Sequence, residues 1–193
     1  MSFVIAVANM SRVVVKCDGL DRDIETGEIK SQDYERINSL NPNCIIGYTG
    51  SKELCEAIIN EYKRLASESN VDMNNLKPTT IIYDICELSK AMNTNNQEIS
   101  FLVTGSENDR IALFGFASKD EYALYNFSPV DENHIKYITL GSDVLNDVIQ
   151  FSNYYHGGNP IESTMNKYLR YISTLDPSVN DCIFTRKVNL SRG

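Results

Sequence analysis

The sequence predicts an α+β fold, a four-layer αββα sandwich in which two antiparallel sheets are packed between helix pairs. Two observations carry this. Hydrophobic period along the 193 residues runs strands, two helices, strands, two helices, strand, which is not the strand–helix alternation of a parallel sheet. The segments between these runs are short polar turns, with no linker, internal repeat or low-complexity stretch, so residues 1–193 read as a single domain.

Phe3 to Ala8 opens the chain as an apolar run without polar alternation, the pattern of a strand covered on both faces. Val13 to Val15 is β-branched, and the polar stretch Asn9 to Arg12 between them predicts a hairpin. A turn centred on Met10 and Ser11 sets Ser2 opposite Gly19; a loop one residue shorter sets it opposite Asp18. Leu20 to Asp33 is polar, with a turn at Thr26-Gly27-Glu28 between short extended pieces. Tyr34 to Leu40 reads as a strand, Asn41-Pro42-Asn43 as a turn, and Cys44 to Gly47 as a compact strand ending on glycines, Gly47 and Gly50.

The period changes at Ser51, an N-cap followed by Glu53 and Glu56, with Leu54, Ile58, Ile59, Tyr62 and Leu65 at helical spacing. After a loop at residues 70–77, Pro78 opens a second amphipathic helix that ends near Met92. Ile99 to Val103, Arg110 to Ala117, Tyr122 to Phe127 and Ile135 to Leu140 predict an antiparallel meander. Val144 to Phe151 and Ile161 to Ile172 return to helical period, broken at residues 156–160, and Asp181 to Val188 is a last strand.

Composition narrows the function classes. With 26 Asp+Glu against 18 Lys+Arg, net charge −8, and no local basic cluster, nucleic acids and anionic membrane surfaces are not expected partners. Cys17, Cys44, Cys55, Cys86 and Cys182 are scattered without a C-x-x-C pair, so they predict neither a disulfide framework nor a metal site. No secretory signal or membrane span is visible in the sequence, and the expected location is cytoplasmic. His134 and His156 are too few and too isolated for a Ser-His-Asp or Cys-His site. No phosphate-binding glycine loop is present, so no cofactor is expected.

The chemical candidate is Ser2. Removal of Met1, which a small second residue permits, gives this serine a free α-amino group that titrates near pH ~8 and can take the proton from its own hydroxyl.

Taken together, the element order, Ser2 at the head of a hairpin, Asp18-Gly19 closing it, Arg36-Ile37 before the strand Cys44 to Gly50, and Gly141-Ser142 after Tyr137 to Leu140 resemble the proteasome β-subunit and HslV family of N-terminal-nucleophile hydrolases. The resemblance spans nearly the whole chain. It implies that Ser2 attacks an amide carbonyl, that Asp18 orients the neighbouring cation, and that the Gly47 amide donates to the oxyanion. It further implies that Tyr48 and Thr49 line the substrate pocket, that Ser142 tunes the α-amine, and that Asp176 supports the site.

Two positions depart from the family. Arg36 stands where the family has lysine, and arginine supplies a field without relaying a proton; Lys30 is the alternative source of that lysine, with the same side-chain parity in an extended segment. Asp143 stands where glycine usually follows the serine, and Pro177-Ser178-Val179 only loosely matches the stretch after the family's aspartate. The implied activity is hydrolysis of peptide bonds in peptides or unfolded proteins, in a homo-oligomeric ring with a possible ATP-dependent unfoldase as partner. The departures leave open a catalytically silent subunit kept for assembly or binding, and an amidohydrolase acting on small molecules.

Overall fold

The computed structural model describes residues 2–23, 26–131, 134–141, 151–153, 155 and 160–190. The opening hairpin pairs β1 (Val4–Ala8) with β2 (Arg12–Asp18). Its turn is held by the Asn9 side chain, whose Oδ1 accepts from the backbone N–H of Ser11 at 3.0 Å and of Arg12 at 2.9 Å. Of the two expected registers the first is found: Ala8 faces Val13 and Val4 faces Cys17, which carries Ser2 abreast of Gly19.

β1 is apolar throughout because both of its faces are covered. Val4, Ala6 and Ala8 enter a core shared between the two large sheets. Phe3, Ile5 and Val7 enter a second core with Phe151, Met165, Tyr168 and Ile172, the last three on α3 (Ile161–Leu175). The first sheet is completed by β10 (Lys136–Leu140) beside β1 and β11 (Ile183–Asn189) beside β2, in the order β10-β1-β2-β11.

The second sheet runs β5-β6-β7-β8-β9, from β5 (Ile37–Asn41), β6 (Cys44–Gly50), β7 (Ile99–Glu107), β8 (Arg110–Ala117) and the two-residue β9 (Tyr125–Asn126). Its outer face carries α1 (Lys52–Glu68) and α2 (Pro78–Met92) on a core of Ile46, Tyr48, Ile58, Ile81, Ile85 and Phe101. Ser51 caps α1 as its sequence predicts, its Oγ accepting from Leu54 N–H at 3.4 Å. A small hairpin, β3 (Asp21–Arg22) with β4 (Ile29–Ser31), stands apart from both sheets.

Two expectations are corrected. The strand at Ile135 to Leu140 is not the fourth of a meander: β10 crosses to the first sheet and pairs with β1, Val4 to Leu140 through Ala8 to Lys136. Its reason is burial, since Ile138 and Leu140 join the core between the sheets while Tyr137 packs against the second core. The strand expected from Tyr34 begins only at Ile37, because Tyr34 N–H is directed to the Gly19 carbonyl at 2.9 Å. The helix expected at Val144 to Phe151 falls, except for its last residue, outside the described residues.

Candidate active site

The hairpin register builds the first half of the site. Ser2 is buried, and its Oγ donates to the Leu20 carbonyl at 3.4 Å. Asp18 closes β2 directly behind it, and both oxygens of its carboxylate accept hydrogen bonds. Oδ1 accepts from Phe3 N–H at 2.7 Å, and Oδ2 accepts from Leu20 N–H at 3.0 Å and from Asn180 N–H at 3.4 Å. Burial pushes the Asp18 carboxyl up to about 6, against the pull of these three N–H groups and of the Arg36 charge. The carboxylate therefore clamps the backbone on both sides of Ser2: the residue after it and the residue whose carbonyl holds its hydroxyl.

Asp176 sits one layer behind. At the end of α3 it accepts from Ser178 N–H at 2.8 Å and Ser178 Oγ at 2.6 Å. The turn so fixed delivers Asn180, whose Oδ1 accepts from Gly19 N–H at 2.9 Å and whose Nδ2 donates to the Gln32 carbonyl at 2.8 Å. Asn180 was not legible from sequence, because an asparagine in a polar loop carries no signal of its partner. Gly141 lies against Ser2: with φ of 104°, a side chain there would place its Cβ 2.0 Å from the Ser2 carbonyl oxygen. Ser142 and Asp143 lie outside the described residues.

The second half is a cation cluster in which Arg36 is buried and Lys52 partly exposed. Arg36, just ahead of β5, is 3% exposed and donates from NH2 to Asp21 Oδ1 at 2.8 Å. The other oxygen of Asp21 takes Lys52 Nζ at 3.0 Å, so one carboxylate holds two cations. The Arg36 guanidinium lies 5.2 Å from the centre of the Tyr34 ring and 5.8 Å from that of Tyr48, and Lys52 Nζ lies 3.7 Å from Tyr34. Beneath the cations the two phenols share a hydrogen bond of 2.6 Å, and Tyr34 donates to Glu56. Burial, first of all, pushes both phenols up. Lys30, the alternative cation, is instead half exposed and paired with Asp23 at 2.8 Å.

Arg36, Asp21 and Lys52 line a cleft of about 570 Å³ whose wall also includes Arg22, Lys30 and Gly50. Asp21 and Arg22 follow directly on Leu20, the acceptor of the Ser2 hydroxyl, so the cleft opens one residue from the serine's partner.

The residues expected at the end of β6 are rearranged. Gly47 is mid-strand and faces both Ile37 and Leu102. Tyr48 N–H points to β5, donating to the Arg36 carbonyl at 3.2 Å; the neighbouring Gly47 amide therefore points the other way, into the ladder with β7, and is not placed to receive an oxyanion. Tyr48 and Thr49 do not line the cleft. Strand alternation turns Tyr48, with Ile46, toward the helices and Thr49, with Ile45, toward the other sheet, and both are buried.

Gly50, unlike Gly47, lines the cleft. Its amide lies on the same side as that of Tyr48, beyond the start of β5, where the cleft begins. Its φ of 97° and the 2.0 Å that would separate a Cβ from the Glu98 carbonyl oxygen leave room for glycine alone.

Other nucleophiles recede. Burial pushes the Cys17 and Cys44 thiols up to about 12. His134 is exposed and bonded only to Asp131 among the described residues; His156 lies outside them. No group of three or more His, Cys, Asp or Glu among the described residues is placed to hold a metal ion, and no described helix is long and apolar enough to cross a membrane.

Two facing antiparallel sheets, one covered by α1 and α2 and the other by α3, define a mixed α and β fold, and solved structures share it. Eukaryotic HslV from Trypanosoma brucei is similar at a TM-score of 0.66 over 97% of this chain and 99% of that chain, with 14% sequence identity. At that identity the likeness is one of fold. No family model matches the sequence, and no curated protein matches it either.

Proposed function

We propose that the protein is a proteasome-like N-terminal-nucleophile peptidase that cleaves peptide bonds with Ser2 once Met1 is removed. The observation that supports it most is the clamp of Asp18 on the residues flanking Ser2, in a fold similar to that of HslV.

In this reading the freed α-amine of Ser2 takes the hydroxyl proton as Oγ attacks the scissile carbonyl. The amine then passes the proton to the leaving nitrogen, leaving an ester on Ser2, which water, deprotonated by the same amine, hydrolyses to free enzyme and acid. Asp18 and Asp176 are positioning residues in this scheme: Asp18 holds the backbone around the nucleophile, and Asp176 acts through the turn that carries Asn180. The Gly50 amide is the donor offered to the oxyanion, in place of Gly47. Arg36 supplies positive charge without proton relay. Ser142 has the role that the family resemblance implies for it, tuning the amine.

The same reading makes residues 1–193 one domain. Its architecture in this reading is the four-layer αββα sandwich, and the protein works as a cytoplasmic homo-oligomeric ring, with an ATP-dependent unfoldase as possible partner and no cofactor. The mature protein is expected to cleave fluorogenic peptides or an unfolded protein, and Ser2→Ala to lower kcat by more than about a thousandfold; equal rates in the two would sink the proposal.

A second reading rests on Arg36. Its bidding for Asp21 alongside Lys52 holds the cation in a fixed ion pair, as a catalytically silent assembly subunit tolerates. Absence of cleavage in a correctly processed, ring-forming protein would favour this reading.

A further inference from the structure

Arg36 is buried, yet only NH2 of its three nitrogens has a hydrogen-bond partner; Nε and NH1 have none among the described residues. Arg22, on the same cleft, likewise has a buried Nε without a partner. Unpaired buried N–H groups are rare because each gives up its hydration for nothing. Two guanidinium groups on one wall with open donors mark a place where an acceptor belongs. Asp21 does not supply it: its oxygens accept from Arg36 Nη2 and Lys52 Nζ, and neither reaches the unpaired Nε and Nη1 of Arg36 or the Nε of Arg22. Asp23 is paired with Lys30.

The remaining acids on the wall are Glu53 and Glu98. Four carboxylates and four cations line the cleft, so a doubly charged phosphate would meet nearby negative charge. A single planar carboxylate matches the fork of a guanidinium in both charge and shape.

We propose that this cleft is a specificity pocket for an acidic side chain of the substrate, which Arg36 and Arg22 receive through their open donors. The inference rests on the peptidase reading for what the substrate is, and on the unpaired donors alone for what the cleft binds. Residues carrying glutamate or aspartate beside the scissile bond are therefore the preferred substrates. Arg22 contributes to the recognition and not to the chemistry.

The test uses matched fluorogenic peptides with Glu, Gln, Leu or Lys before the cleaved bond, together with NMR of the arginine Nε–H signals titrated with the corresponding acetylated product peptides and with inorganic phosphate. The expected result is a kcat/KM for Glu at least tenfold above that for Gln, most of that preference lost in Arg22→Gln while the Gln peptide is cleaved as before, and Arg22 and Arg36 signals shifted by the Glu product. Cleavage with no preference for Glu overturns the pocket and leaves the peptidase standing. No cleavage, with selective shifts by the Glu product, overturns the peptidase and leaves the pocket standing. Phosphate binding as tight as that of the Glu product, or shifts by neither, overturns the pocket.

Discussion

Asp18 and Arg36 are both buried charged groups on the same side of the molecule, and they are treated oppositely. Both carboxylate oxygens of Asp18 accept from backbone N–H groups, those of Phe3, Leu20 and Asn180. Arg36 has one pairing, to Asp21, and two donors open. A carboxylate satisfied by the chain's own backbone is a device for holding structure. A guanidinium left partly unsatisfied on a cleft wall is a device for holding something else. The site thus divides into a scaffold half, set by the hairpin and the turn after α3, and a receptor half, set by the start of β3, the residues before β5 and the end of β6.

Substitutions break this contrast to different degrees. Asp21→Asn removes the charge that two cations share and leaves buried Arg36 uncompensated; a loss of about 3–5 kcal/mol is expected, read as a lower urea midpoint. An unchanged midpoint would show that Arg36 has another acceptor. Gly50→Ala forces a side chain into the space of the Glu98 carbonyl at an unfavourable φ, with an expected loss of roughly 2–3 kcal/mol and a larger proportional loss of activity than of stability. Gly47→Ala serves as the comparison: if it lowers kcat more than Gly50→Ala while the fold is intact, the donor assignment fails.

The Asp18 half is sharpened by pH. Burial raises its carboxyl from 3.8 to about 6 in the native state, so folding favours the protonated form. Its contribution to stability is complete below about pH 4 and is lost as pH rises through about 6. Wild type should therefore lose about 1–1.5 kcal/mol relative to Asp18→Asn between about pH 5 and 7.5, measured by paired denaturant titrations; a pH-independent difference would contradict it. The smallest effect is expected at Tyr34→Phe, which removes the hydroxyl between Tyr48 and Glu56 but keeps the ring under both cations, at about 1 kcal/mol. A loss much above that would mean the hydroxyl network, not the ring, positions Arg36.

Local signals were the legible ones. The hairpin, the Ser51 cap and the Pro78 start all follow from short-range patterns; two hairpin registers stayed open, and either brings Ser2 close to Asp18. β10 was misassigned because its apolar residues are consistent with either sheet, and only the packing of the two sheets selects β1 as its neighbour. The direction of a strand amide is equally invisible: Gly47 and Gly50 look alike in sequence, and strand alternation set by Tyr48 decides which of them opens on the cleft. Asp21, Lys52 and Asn180 come from three separate loops and element ends, and their convergence is a tertiary fact.

The central claim is that Ser2 becomes the N-terminal nucleophile. Intact-mass spectrometry of the protein purified from its natural host, before and after treatment with an electrophile directed at serine and threonine nucleophiles, tests it most directly. The prediction is a chain beginning at Ser2 that gains one adduct, mapped to Ser2 and absent in Ser2→Ala. A chain that retains Met1 and gains no adduct would contradict it.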